Sequence, residues 1–139
     1  MATVSADGSP NLSPKGTTTV WDDDHLVFAN LGSPGTIENL RHNQACELNI
    51  IDYYLRKGYR FKGTAEVLTS GPKFEEIKEA YTTGSRGINR SGIPAHGYVL
   101  ITINKTAPLQ SPAYTPGKTE SAMREEWTEY WADVQETNS

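Results

Sequence analysis

Lys15, Ser33 and Thr36 are the residues of this chain whose types and surroundings suit the binding of an anion. Ser33 and Thr36 lie in the stretch from Val27 to Asn43, VFANLGSPGTIENLRHN, which reads as a strand, a polar loop and a short helix. Val27-Phe28-Ala29 has strand character, and Asn30-Leu31-Gly32-Ser33 has loop character. Ser33 is a good N-cap and Pro34 suits the first helical position. Such a helix start offers free backbone N–H groups and a partial positive charge, which together attract phosphate. Lys15 belongs to a segment expected to run beside the strand that ends at Asn30, so its ammonium can approach the same point. Each residue also has an ordinary reading: Ser33 as a cap, Lys15 as an exposed lysine on an edge strand.

A second set is basic. Arg56, Lys57, Arg60 and Lys62 fall within seven residues, facing either an anionic ligand or solvent on a charged edge strand. Lys57 stands beside Gly58, and a glycine in a strand often marks close approach by a ligand. His25, His42 and His96 have no metal-ligand spacing, so no metal site is expected. No nucleophile elbow, dinucleotide fingerprint or P-loop occurs. With no recognisable nucleophile or general base, any catalysis must be carried by a bound cofactor.

Composition narrows the classes. The chain has 139 residues, enough for a single domain, 1–139, with a real core. Its apolar content is 36%, low enough that a partner chain could complete the buried area. The net charge of −4 argues against general nucleic-acid binding. One cysteine, Cys46, excludes a disulfide scaffold and a cysteine-rich zinc site. No apolar run approaches the roughly 20 residues that cross a bilayer, and nothing at the start reads as a signal peptide. A cytoplasmic protein, with neither membrane nor nucleic acid as partner, is the expectation.

The elements that must position these residues are mostly strands. Met1 to Ser5 and Asn11 to Trp21 flank an Asp7-Gly8 hairpin turn, and His25 to Asn30 returns antiparallel, which predicts a three-stranded meander. Pro14 and Gly16 suggest a bend or bulge in the second strand. A helix from Ser33 to His42 follows, then strands over Ala45 to Asp52 and Tyr59 to Leu68. Pro72 to Tyr81 reads as a helix, and Thr82 to Gly97 as a long surface loop suited to closing over a ligand. Tyr98 to Asn104 is the last strand and Lys105 to Thr119 an extended crossing segment. A final helix spans about 119–134, with Trp127 and Trp131 on its apolar stripe. The order β-β-β-α-β-β-α-β-α is mainly β with antiparallel neighbours, and a small β-barrel with helices packed outside is the expectation.

The run Val27 to Ser33, the following Asn39-Leu40-Arg41-His42-Asn43, the Asp7 to Asn11 turn, the strand Ser13 to Val20 and the stretch Tyr59 to Ala65 together resemble the pyridoxamine 5'-phosphate oxidase-like FMN-binding split-barrel family. The resemblance covers Ala2 to Val67 best. It implies a mainly β fold, a six-stranded antiparallel split β-barrel with flanking helices, and a homodimer with FMN at the interface and flavin hydride transfer to or from a small-molecule substrate. Carried over, Ser13, Pro14, Lys15, Gly16, Thr17 and Thr18 would line the FMN. Phe28, Ala29 and Asn30 would contact it, Ser33 and Thr36 would hold its phosphate, and Lys57 and Gly58 would approach from a neighbouring strand. No catalytic side chain is carried over. The chain departs from the true oxidases: their Arg-Lys pair after the serine is Pro34-Gly35 here, and their C-terminal substrate motif has no counterpart in Thr119 to Ser139. Pyridoxine phosphate oxidation is therefore not expected. The alternative is a non-catalytic holder of flavin, haem or deazaflavin on the same fold.

Overall fold

The computed structural model of the protein describes residues 1–85 and 94–137. The elements run β1 (Ala2–Val4), β2 (Pro10–Leu12), β3 (Thr19–Val20), β4 (His25–Ala29), α1 (Pro34–His42), β5 (Ala45–Asp52), β6 (Lys57–Leu68), α2 (Pro72–Thr83), β7 (Tyr98–Gln110) and α3 (Glu120–Thr137). The strands form one seven-stranded sheet in the order β2-β1-β5-β6-β7-β4-β3. The architecture is mainly β, a split-barrel fold with helices alongside.

Two departures from the expected elements matter. The single strand expected from Asn11 to Trp21 is two, β2 and β3, which raises the strand count from six to seven. They do not pair with each other: β2 pairs with β1 at one end of the strand order and β3 with β4 at the other. The expected meander is therefore interrupted at Ser13–Thr18, where Pro14 cannot donate to a ladder. The last strand is also longer. β7 continues through Lys105 and Pro108 to Gln110, where the strand was expected to have given way to an extended crossing segment.

By contacts, the described chain divides into two compact units, one of 1–48 and 61–105 and one of 49–60 and 106–137. In the first, β4 is buried on both faces, as its unbroken apolar run requires. Leu26 and Phe28 join Ile37 and Leu40 of α1, together with Leu48, Ala65, Val99 and Ile101. Val27 and Ala29 point the other way and join Ile77 and Ala80 of α2, with Trp21, Leu68 and Tyr98. The period-two alternation of one strand thus seats two helices on opposite faces. β4 lies in register on β7, with Phe28 opposite Val99 and Ala29 opposite Tyr98. Asn39 Nδ2 donates to Thr3 Oγ1 at 3.0 Å in the interior and ties α1 to β1.

The second unit is held by polar and aromatic contacts. The Asp52 carboxylate accepts the N–H groups of Tyr54 and Leu55 at 2.9 and 2.8 Å and a guanidinium N–H of Arg124 at 3.2 Å. Those contacts, that of Leu55 first, hold its carboxyl below the usual range. The Arg56 guanidinium stacks on the Trp127 ring at 3.9 Å. Tyr130 lies edge-on to both Trp127 and Trp131, so the indole stripe of α3 packs within this unit. Met123, on the same helix, is fully buried.

At Gly63, β6 passes close against β7. A Cβ there would lie 2.5 Å from the Thr102 carbonyl oxygen and 2.8 Å from Ile101 Cγ2. Gly63→Ala should therefore destabilise the protein by about 1–3 kcal/mol. Urea denaturation measures this; an unchanged midpoint would mean the two strands separate freely there.

Candidate functional site

The site is built on the two loops that bracket β4. The upstream loop, Ser13–Thr18, is irregular but closely tied. The Lys15 carbonyl accepts the Thr18 hydroxyl at 2.9 Å and the Thr18 N–H at 3.3 Å. Thr17 Oγ1 accepts the Ala29 N–H at 3.1 Å and lies 3.2 Å from the Ala29 carbonyl oxygen, to which it donates. That side chain continues the β3–β4 pairing where the backbone ladder has ended. In the downstream loop, Asn30 Oδ1 accepts the Ser33 N–H at 3.1 Å, which sets the entry into α1.

These ties bring Lys15 to the start of α1. Its Nζ donates to Ser33 Oγ at 3.1 Å, to Ser13 Oγ at 2.5 Å and to the Pro14 carbonyl at 3.2 Å. It also lies 5.7 Å from the centre of the Phe28 ring. All three acceptors are neutral. Among the described residues no carboxylate pairs with Lys15. Burial holds its amine below the ordinary lysine value of 10.5.

Ser33 stands at the N-cap position, yet its side chain makes no capping hydrogen bond. Its hydroxyl is engaged by Lys15 instead. Pro34 has no N–H, so the N–H groups of Gly35 and Thr36 are the first-turn donors left to an external acceptor. α1 carries no acidic residue in its first turn. A lysine ammonium and the positive end of a helix thus converge with no negative group between them. An anion placed there would be attracted by both.

The structure brings Ser13, Pro14, Lys15, Thr17, Thr18, Phe28, Ala29, Asn30 and Ser33 into one neighbourhood of the first unit. Gly16, in the same loop, has no heavy atom within 4 Å of where a Cβ would stand. Phe28 is wholly buried, so its ring is presented to the core and to the Lys15 ammonium. The Thr36 side chain is buried, which leaves its backbone N–H as its means of meeting a ligand. Lys57 and Gly58 belong to the second unit. There Lys57 Nζ pairs with Glu120 Oε1 at 2.8 Å and lies 4.4 Å from the centre of the Tyr114 ring. A Cβ on Gly58 would strike the Ile50 carbonyl oxygen and approach Ile51 Cα to 2.8 Å, so the neighbouring strand accounts for that glycine. The closing role expected of the loop from Thr82 to Gly97 rests largely on residues 86–93, outside the described residues.

Sequence reasoning did not single out Tyr81. Its hydroxyl donates to the Thr17 carbonyl at 2.8 Å and lies 3.3 Å from that of Val27. Nothing in the local pattern separates it from an apolar residue on the inner face of α2.

With this geometry in view, the comparisons are informative. A family profile for pyridoxamine 5'-phosphate oxidase matches residues 1–107. This chain belongs to that family. It is similar to the crystal structure of HupZ from Group A Streptococcus, at 32% identity and a TM-score of 0.66, over 79% of this chain and 82% of that one. It is also similar to a protein from Lactobacillus delbrueckii described as a putative pyridoxamine 5'-phosphate oxidase, at 25% identity and a TM-score of 0.62, over 76% and 79% of the two chains. An FMN-binding protein from Syntrophomonas wolfei shares the fold, at 19% identity and a TM-score of 0.61, over 79% and 75%. A search of curated proteins returned no match. Among the described residues no helix is long and apolar enough to cross a membrane.

If Ser33 serves the Lys15 contact and not the helix cap, Ser33→Ala should cost less than about 0.5 kcal/mol, where a true cap costs about 1. Thermal or urea denaturation decides it; a loss of 1 kcal/mol or more would show that Ser33 caps α1.

Proposed function

We propose that this protein binds FMN, with the phosphate held between the Lys15 ammonium and the first turn of α1, and that it acts as a homodimeric cytoplasmic oxidoreductase on a small-molecule substrate. The observation that carries the reading is the Lys15 ammonium, held at 3.1 Å from Ser33 Oγ at a helix start with only neutral partners. Membership of the pyridoxamine 5'-phosphate oxidase family supports the choice of flavin. The residues fit the phosphate: a cation, two hydroxyls and unpaired first-turn N–H groups converge, and the open space at Gly35 leaves the backbone approachable. When bound, FMN supplies two-electron hydride chemistry. The chain's part is to anchor the phosphate and to fix the loop that bears it. Ser33 and Ser13 orient the ammonium, and Thr17 holds the loop to β4.

A second copy is supported by large apolar side chains left exposed in this chain, among them Leu12, Val20, Ile50 and Ile51. A second functional reading, a non-catalytic holder of flavin, haem or deazaflavin, is favoured by Pro34-Gly35, where the true oxidases carry a basic pair.

The visible spectrum after mixing with FMN and desalting tests the reading. Flavin bands retained at near one per chain are expected, and a protein that emerges colourless would contradict it. Bleaching of those bands by a nicotinamide donor without oxygen separates the oxidoreductase from the holder.

Lys15→Ala should weaken FMN binding by about 1–3 kcal/mol and leave riboflavin, which lacks the phosphate, unaffected. The pH dependence has a definite sign. Burial lowers the folded-state value, so the ammonium weighs against folding while protonated, and that weight lifts as pH rises through the folded value. An anion favours the protonated form. FMN affinity relative to riboflavin should therefore be level near neutrality and fall in the alkaline range, with a break below 10.5, the ordinary lysine value. Titrations of wild type and Lys15→Ala measure both effects; a break that persists in the variant would remove Lys15 from the site.

A further inference from the structure

The loop that carries Lys15 is not held by β4 alone. Tyr81, near the end of α2, donates its phenol proton to the Thr17 carbonyl at 2.8 Å. Thr17 then grips Ala29 through its hydroxyl, and Thr18 closes the turn onto the Lys15 carbonyl by both hydroxyl and N–H. Lys15 completes the series at Ser33 Oγ. The Tyr81 ring is fixed in turn, 5.1 Å from that of Tyr98, which stands 5.5 Å from Phe74. The Thr17 and Val27 carbonyls offer nothing to a bare ring, so a phenylalanine would pack at residue 81 equally well.

We infer that Tyr81 is a positioning residue for the anion site: its hydroxyl tethers the Ser13–Thr18 loop to α2 and so sets where the Lys15 ammonium meets the start of α1. This rests on the anion-binding reading of that site. Burial, and the neighbouring Tyr98, push the Tyr81 phenol above the ordinary tyrosine value. It therefore stays protonated, and a donor, across the working pH range. α2 packs on the face of β4 that also receives Leu31 of the second loop, and the other face of β4 carries α1. The tether thus couples the two helices through the loop as well as through the strand.

Tyr81→Phe keeps the ring and removes only the donor. It should raise the Kd for FMN about five- to tenfold and leave that for riboflavin within about twofold. In a Lys15→Ala background it should add nothing further, because the group it positions is gone. Equal losses for the two flavins, or full additivity with Lys15→Ala, would overturn the inference, since a merely structural role predicts both. If Tyr81→Phe folds poorly, Thr17→Val breaks the next link and should show the same FMN-selective loss. Should wild-type protein fail to retain FMN, that failure belongs to the cofactor reading, and the unliganded protein then decides about Tyr81. Amide exchange at Thr18 and Ala29 should quicken about tenfold in Tyr81→Phe while Val99 and Ile101 keep their protection. Unchanged exchange at Thr18 and Ala29 would overturn the tether.

Discussion

A positive charge with no carboxylate partner among the described residues governs the candidate site of this protein. The Lys15 ammonium is drawn out of full solvation and set against the positive end of α1, with only hydroxyls and a carbonyl to receive its protons. Either feature alone is common. Together they are electrostatically unfavourable in the unliganded protein, because both repel the same sign. The arrangement is maintained by groups remote from the charge: Asn30 at the helix entry, Thr17 on Ala29 and Tyr81 behind the loop. An anion placed there would turn the repulsion into a shared attraction.

β4 makes that convergence possible. Because Leu26 and Phe28 face one helix and Val27 and Ala29 the other, the strand cannot slip by a residue without exchanging two buried faces. Its pairing with β7 fixes it further. Both loops of the site hang from its ends or pair along it, so they inherit its rigidity. The first unit is thus organised by an apolar strand, with the polar residues of the candidate site at its margins.

Much of this was legible in the residues. Pro34 and Pro72 mark helix starts where the structure has them, the Asp7-Gly8 turn joins β1 to β2, and the alternation from Ala45 to Asp52 gives β5 with those bounds. The Lys15 and Ser33 approach followed from a strand-beside-strand argument, although Lys15 proves to sit in a loop. Local pattern could not show that β2 and β3 part to opposite ends of the strand order. A threonine-rich run reads as extended whichever neighbour it finds, and only long-range pairing separates the two pieces. Pro108 suggested that the last strand had given way to an extended crossing segment, where β7 in fact continues. Cap chemistry likewise predicted a role for the Ser33 hydroxyl that a residue 18 positions away takes over. Gly58 was read as a mark of close approach by a ligand, and the backbone of β5 by itself already requires a glycine there.

The most direct test of the charge argument compares FMN with riboflavin on the unaltered protein, by equilibrium titration of flavin fluorescence at low salt. The two differ only in the phosphate, so the ratio of their dissociation constants isolates what Lys15 and the start of α1 contribute. FMN should bind at least about tenfold more tightly, with the advantage shrinking as salt is raised. Equal affinities, or an advantage indifferent to salt, would mean that the site does not read the phosphate and that the unpaired ammonium serves some other end.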